Sequence, residues 1–185
     1  AYALVKHKLP NSNLMFNIVI CALMFSPQVT QIPSYLVVSK LGMVNTYWAL
    51  IIPKIAVAYN LFLMKQFMEQ VPDALLESAR IDGAHEWCVF WNIVMPMSRP
   101  AWATLVVFSF VSNWNDYFTP LIFVTSQAMK TLPLALQTIS GGPGVVARSG
   151  AMAAATFLVT MPTIIIFVFM QSKVMETMAY SGIKA

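Results

Sequence analysis

Residues 151–170 read AMAAATFLVTMPTIIIFVFM, without a charged side chain among them. A helix needs roughly 20 such residues to cross about 30 Å of hydrocarbon, so this run alone points to a membrane span. Working outward, comparable runs occupy 14–38, 47–67 and 101–124, and four spans are expected. Each is continuously apolar, whereas a transmembrane strand alternates over only about 10 residues. The expected fold is therefore all-α, a polytopic transmembrane helical bundle. The composition agrees: 58% of the 185 residues are hydrophobic and 10% charged, with mean hydropathy +0.69, against roughly 25% charged in ordinary soluble domains.

The formal net charge of +4 does not imply nucleic acid, because the basic residues are scattered between apolar runs and form no stripe. They report topology instead. With loops alternating sides, Lys6, Lys8, Lys65, Arg80, Arg99, Lys173 and Lys184 share one face of the membrane, and Lys40, Lys130 and Arg148 the other. That bias places both termini and the loop between the second and third runs in the cytoplasm. Cys21 and Cys88 have neither CxxC spacing nor a nearby His pair, so no metal site or disulfide is expected. The abrupt start, where residues 1–5 resemble the tail of an earlier apolar helix, suggests that upstream spans are missing. No signal-peptide pattern is present.

The runs are interrupted at informative places. Residues 26–33 insert Pro27 and Pro33 together with Gln28, Thr30 and Gln31, so the first helix must bend or unwind there. Such a stretch faces either the bundle interior or the outer interface. The second run carries Pro53 and Lys54 near its start and Tyr59 and Asn60 deeper in. Lys54 either snorkels to the outer surface or faces a substrate cavity. Residues 126–149 form a polar outer connection containing Gly141, Gly142, Pro143 and Gly144. Gly150 and Ala154 have the small-xxx-small spacing that lets helices approach closely.

Five of the seven acidic residues, Glu69, Asp73, Glu77, Asp82 and Glu86, lie within eighteen positions of the expected cytoplasmic loop. Pro72 and Asp73 suit the first turn of a helix, and Gly83 suits its left-handed C-terminal cap. A helix over 72–82 would place Leu75, Leu76 and Ala79 on one face and Asp73, Glu77 and Arg80 on the other. A second should start near Ala84, with Trp87, Phe90, Trp91 and Val94 at helical spacing, and end before Pro96. Two local explanations compete with a functional one. Glu77 is placed to pair with Arg80 at i, i+3, and Asp82 to cap the second helix. His85 reads as a surface or packing residue.

The segment Glu77-Ser78-Ala79-Arg80-Ile81-Asp82-Gly83, followed after nine residues by Ile93-Val94-Met95-Pro96, resembles the EAA motif of ATP-binding-cassette importer permeases. Ser78 replaces that motif's first Ala and Met95 its Leu. Ile81-Asp82-Gly83-Ala84, Trp114-Asn115-Asp116-Tyr117 with Pro120-Leu121, and Thr131-Leu132-Pro133-Leu134 are similar to the carbohydrate branch, the second permease subunit of maltose-type importers. The resemblance implies a type I importer permease (MetI-like) fold over 1–185, with about four of six spans present and a cytoplasmic coupling loop over 72–96. It implies that Glu77, Ser78, Ala79, Arg80, Asp82, Gly83, Ile93 and Pro96 form the contact with an ATPase. The implied partners are an ATPase subunit dimer holding ATP and Mg, a second permease, an extracytoplasmic solute-binding protein and the lipid bilayer of a bacterial or archaeal inner membrane. No cofactor or metal is expected on this chain.

Polar side chains inside the runs are candidates for a substrate pathway: Gln28, Gln31, Lys54, Tyr59, Asn60, Asn113, Trp114, Asn115 and Asp116. Aromatic faces with hydroxyl-pairing groups suit sugars, and a structural contact to the partner permease is the competing role for 114–116. A carbohydrate is the leading solute, with a polyol, glycerol phosphate or amino acid as the alternative. A polytopic membrane enzyme would need clustered catalytic groups at one depth. With His7 and His85 the only histidines and Asp116 the one obvious intramembrane carboxylate, no such set is available.

Overall fold

The computed structural model describes residues 1–7, 10–141 and 148–182, with side chains described as far as 171. Lys8, Gly142, Pro143, Gly144, the side chain of Lys173 and Lys184 lie outside the described residues. The elements run α1 (Tyr2–Lys6), α2 (Ser12–Leu23), α3 (Pro27–Lys40), α4 (Tyr47–Ile55), α5 (Ala58–Glu69), α6 (Asp73–Ile81), α7 (Glu86–Val89), a π turn (Phe90–Val94) and α8 (Met95–Met97). They continue with α9 (Arg99–Trp114), α10 (Phe118–Phe123), a 3₁₀ turn (Gln127–Met129), α11 (Leu132–Ser140) and α12 (Ser149–Gly182). Every regular element among the described residues is helical.

Two stretches, Tyr47–Glu69 and Ser149–Gln171, are long and apolar enough to span a membrane. The pairs Ser12–Leu23 with Pro27–Lys40 and Glu86–Met97 with Arg99–Trp114 qualify only when each is taken together across its break, giving up to four. In both of these stretches only 6% of the most apolar window is buried inside the chain, which suits surfaces solvated by lipid rather than water. Within α12, Thr156 and Thr160 donate their hydroxyls to the carbonyls of Met152 and Thr156, both at 2.8 Å. Polar groups are thus hidden in the helix's own backbone.

The first break comes before the prolines rather than at them. α2 stops at Leu23, Pro27 occupies the first turn of α3, and Pro33 is carried inside that helix. Pro27 has no N–H to lose in a first turn, which makes it a starter of α3.

The chain divides into two compact units, residues 1–25, 57–106 and 172–185 in one, and 26–56 with 107–171 in the other. The core of the first is Met68, Val71, Leu76, Val89 and Val94, all buried, flanked by Tyr2, Val5, Ala79 and Phe90. α6 ends in a full Schellman turn: Gly83 N–H donates to Arg80 O at 3.1 Å and Ala84 N–H to Ala79 O at 3.0 Å, with Gly83 at φ +83°. The expected left-handed cap is present.

Beyond it the helix does not stop before Pro96. It continues as α7, the π turn and α8, and breaks at Ser98, where the chain bends by 72°. A proline in a regular helix clashes with the carbonyl four residues back. Here Met95 N–H reaches Phe90 O, five residues back, and the widened turn lets the proline follow. The five-residue step also decides which face is buried. Val89 and Val94 are fully enclosed, while Trp87 and Trp91, expected on the packed face, are 68% and 58% exposed.

The N-terminal segment straps this core from outside. Lys6 Nζ donates to Val71 O at 2.6 Å and to Asp73 Oδ1 at 2.7 Å, its side chain almost wholly covered. Tyr2 Oη donates to Glu86 Oε2 at 3.0 Å, Arg80 Nε donates to Glu86 Oε1 at 2.6 Å, and His7 Nε2 stands 3.6 Å from the same carboxylate. Glu86 therefore joins α1, α6 and α7. The Lys6 hydrogen bond and charge hold the Asp73 carboxyl below its ordinary range, and the Arg80 and Tyr2 hydrogen bonds do the same for Glu86.

The second unit packs Val38, Ala49 and Phe123 together. Asn45, at φ +61°, accepts Thr125 N–H at 3.1 Å and Ser126 N–H at 2.9 Å on its Oδ1 and donates its own N–H to Phe123 O at 2.9 Å.

Two outcomes are expected. A Cβ on Gly83 meets nothing within 4 Å, so Gly83→Ala should cost only its left-handed backbone, about 1 kcal/mol. Amide exchange at Ala84 should rise about fivefold. Because the folded Asp73 and Glu86 carboxyls ionise below their unfolded values, the strap's stabilisation is present above those values and is lost as pH falls through the lower folded ones. Proteolytic nicking of 72–90 should stay flat from about pH 7 to 5 and rise below about 4. Asp73→Asn with Glu86→Gln should abolish that pH step.

Candidate functional site

The first candidate surface is the outer face of α6 and its cap. Leu76 and Ala79 turn inward, while Glu77, Ser78, Arg80, Asp82 and Gly83 are exposed. Arg80 is drawn to Glu86 rather than to Glu77, and Glu77 has no ion pair among the described residues. Asp82 is the C-cap of α6. The N-cap of α7 is His85, whose Nδ1 accepts Trp87 N–H at 3.4 Å, so Asp82 is not that cap. Ser78 Oγ donates to Leu75 O at 3.0 Å. What remains open is the Glu77 carboxylate beside Ser78, with the exposed Ile81 side chain standing between them and Gly83. Ile93 and Pro96 lie half-buried at the inner side. They shape the support of this face rather than the face itself.

The second candidate surface lies in the 26–56 and 107–171 unit. The third apolar run does not continue as one helix: α9 ends at Trp114, and α10 starts at Phe118. Asp116 sits in the gap, and its Oδ1 accepts Phe118 N–H at 3.0 Å and Thr119 N–H at 3.1 Å. The carboxylate thereby supplies the acceptors that a helix start requires. Lys54 Nζ forms a salt bridge with Asp116 Oδ2. Lys54 is thus matched to a largely buried carboxylate.

The pair lines a cavity of about 390 Å³ together with Ile51, Asn113, Pro120 and Thr131. Thr131 precedes α11 but its hydroxyl caps nothing, and its Oγ1 is shielded without a hydrogen-bond partner. Leaving such a group unpaired costs about 1–3 kcal/mol.

Of the other pathway residues, Trp114 is committed elsewhere: its indole N–H donates to Val159 O at 2.8 Å, and its ring stacks on Phe110 at 5.8 Å. Asn115 Nδ2 donates back to Val111 O at 2.9 Å. Gln28 bonds Ser26 locally, and Gln31 Oε1 is shielded without a partner. Tyr59 and Asn60 belong to the first unit. The sequence reading missed Thr131 as a lining residue and Glu86 as a junction. Thr131 does lie within a quoted motif, but its spacing carries no sign that its hydroxyl is left uncapped.

With this geometry in place, comparison with known proteins is informative. The family described as binding-protein-dependent transport system inner membrane component matches residues 3–175. Protein LplC of Bacillus subtilis is 36% identical, over 100% of this chain and 66% of its own length. The sn-glycerol-3-phosphate transport system permease protein UgpE of Yersinia enterocolitica is 34% identical over 92% of this chain and 61% of its length. The arabinooligosaccharides transport system permease protein AraQ of Halalkalibacterium halodurans is 30% identical over 99% and 65%.

The chain therefore spans about 61–66% of the length of these relatives. A chain in the crystal structure of a bacterial ABC transporter that imports the acidic polysaccharide alginate superposes with TM-score 0.79 at 23% identity, over 92% of this chain and 65% of that one. That likeness establishes the fold, the MetI-like permease bundle. The match over nearly its whole length makes this chain a member of the binding-protein-dependent transport system inner membrane component family.

Proposed function

We infer that the chain is a permease subunit of an ATP-driven importer for a carbohydrate, and that the Glu77–Gly83 face is where an ATPase subunit docks. The observation that carries the reading is the unpaired Glu77 on an open face, whose underside is fastened by Leu76, Glu86 and Lys6. An exposed carboxylate next to Ser78, with Gly83 beyond Ile81, suits a cleft that offers a basic side chain and close backbone approach. The basic-residue bias sets this face in the cytoplasm, with the C-terminus on the same side. A dimer of ATPase subunits, holding ATP and Mg, would close and move 72–96 as one piece. The spans on either side would then change which side the pathway faces.

A second permease completes the pathway, and a solute-binding protein delivers the cargo from outside. Carbohydrate is favoured by the AraQ likeness and by the quoted sequence motifs. The UgpE likeness keeps glycerol phosphate as the second reading.

Glu77→Lys should abolish transport in a reconstituted importer and cut copurification of the ATPase at least tenfold, with the spans still inserted. Undiminished copurification would remove the docking role. Uptake measured with an arabino-oligosaccharide, an oligogalacturonate and glycerol 3-phosphate separates the two solute readings.

A further inference from the structure

We propose that the cavity bounded by Lys54, Asp116, Asn113 and Thr131 is a solute subsite on this chain for an uncharged sugar ring, and that its charge balance disfavours acidic sugars. The proposal rests on the importer reading above and specifies its cargo.

Four features carry it. The volume of about 390 Å³ falls within the roughly 300–1,000 Å³ of small-molecule sites. Its walls are mostly aliphatic, with Leu50, Ile51, Ile55 and Pro120 presenting surface suited to the C–H face of a pyranose or furanose, and polar side chains interrupt that surface.

The polar groups also differ in what they have left to give. Asn113 is exposed at the cavity and its amide can meet a sugar hydroxyl, while the Thr131 hydroxyl, shielded and without a hydrogen-bond partner among the described residues, would gain the partner it lacks from a hydroxyl seated directly against it. Asp116 is already fastened to Phe118, Thr119 and Lys54.

Finally, the one cation of the cavity is neutralised by the one anion. A carboxylate or phosphate entering it would gain Lys54 only by facing Asp116, and Asp116 cannot swing away without uncapping α10. Hydroxyl groups meet no such conflict, since each can donate to the carboxylate side and accept from the ammonium side.

The test uses the assembled importer in nanodiscs, without the solute-binding protein, and measures binding of a neutral arabino-trisaccharide and of trigalacturonate. Separate proteoliposome uptake is run with the complete system. The wild type should bind the neutral probe at least tenfold more tightly than the acidic one. Asn113→Leu and Thr131→Val should each weaken neutral-probe binding about tenfold, and Thr131→Ser should restore it, which separates loss of a hydroxyl from loss of fold.

Tighter binding of trigalacturonate that is lost in Lys54→Met would overturn the uncharged class. Uptake of the neutral probe with binding indifferent to both Asn113→Leu and Thr131→Val would overturn the subsite while leaving the importer reading intact. Uptake of no carbohydrate by a complex that still retains its ATPase would overturn both.

Discussion

In hydrocarbon a backbone N–H or C=O that leaves a helix has no water to turn to, and this structure can be understood as the set of places where that constraint is met without a regular helix. At residues 115–117 the chain breaks between α9 and α10, and Asp116 supplies the acceptors that the start of α10 lacks. A carboxylate so placed needs its charge answered, and Lys54, from a helix otherwise apolar, answers it. The ion pair follows from the break. At Gly42 the departing carbonyls are collected by a Schellman turn instead, and that site needs no charge.

The segment from α6 to α8 obeys a different economy. Its two short helices are too brief to be stable alone, and they persist because Leu76, Val89 and Val94 share one core with Met68 and Val71. Around that core, Lys6 and Tyr2 reach across 65 to 84 positions of sequence to bind Val71 O, Asp73 and Glu86. The pairs to Asp73 and Glu86 are exposed on at least one side and individually weak. Together they restrict the same few residues, so force applied at Glu77 meets a fastened body rather than a hinge.

Much of this was legible in the amino-acid pattern. The apolar runs marked the spans, Pro72 and Gly83 marked both ends of α6, and the Glu77 to Pro96 spacing identified the family. Three features were not. The helix through Pro96 was hidden because a proline's ordinary effect is to end a helix, and the wide turn that accommodates it has no signature in residue type. Val94 was in the expected stripe, but its inward partner Val89 was missed for the same reason, since helical spacing pointed to Trp87 and Trp91 instead. The Lys54–Asp116 bridge joins residues 62 apart, and no local rule reports contacts at that range. Lys54 stayed open between snorkelling and facing a cavity because its partner lay on another run.

The π turn at Phe90–Val94 also sets an angular relationship. One added residue in a helix rotates everything after it by about 100° about the axis, so Ser98 and the start of α9 leave the loop on a different bearing from that of an unbroken α-helix. The turn thus works as a phase shifter between α7 and α9. The azimuth of α9 relative to α7 is encoded in a single extra peptide unit, not in any side chain.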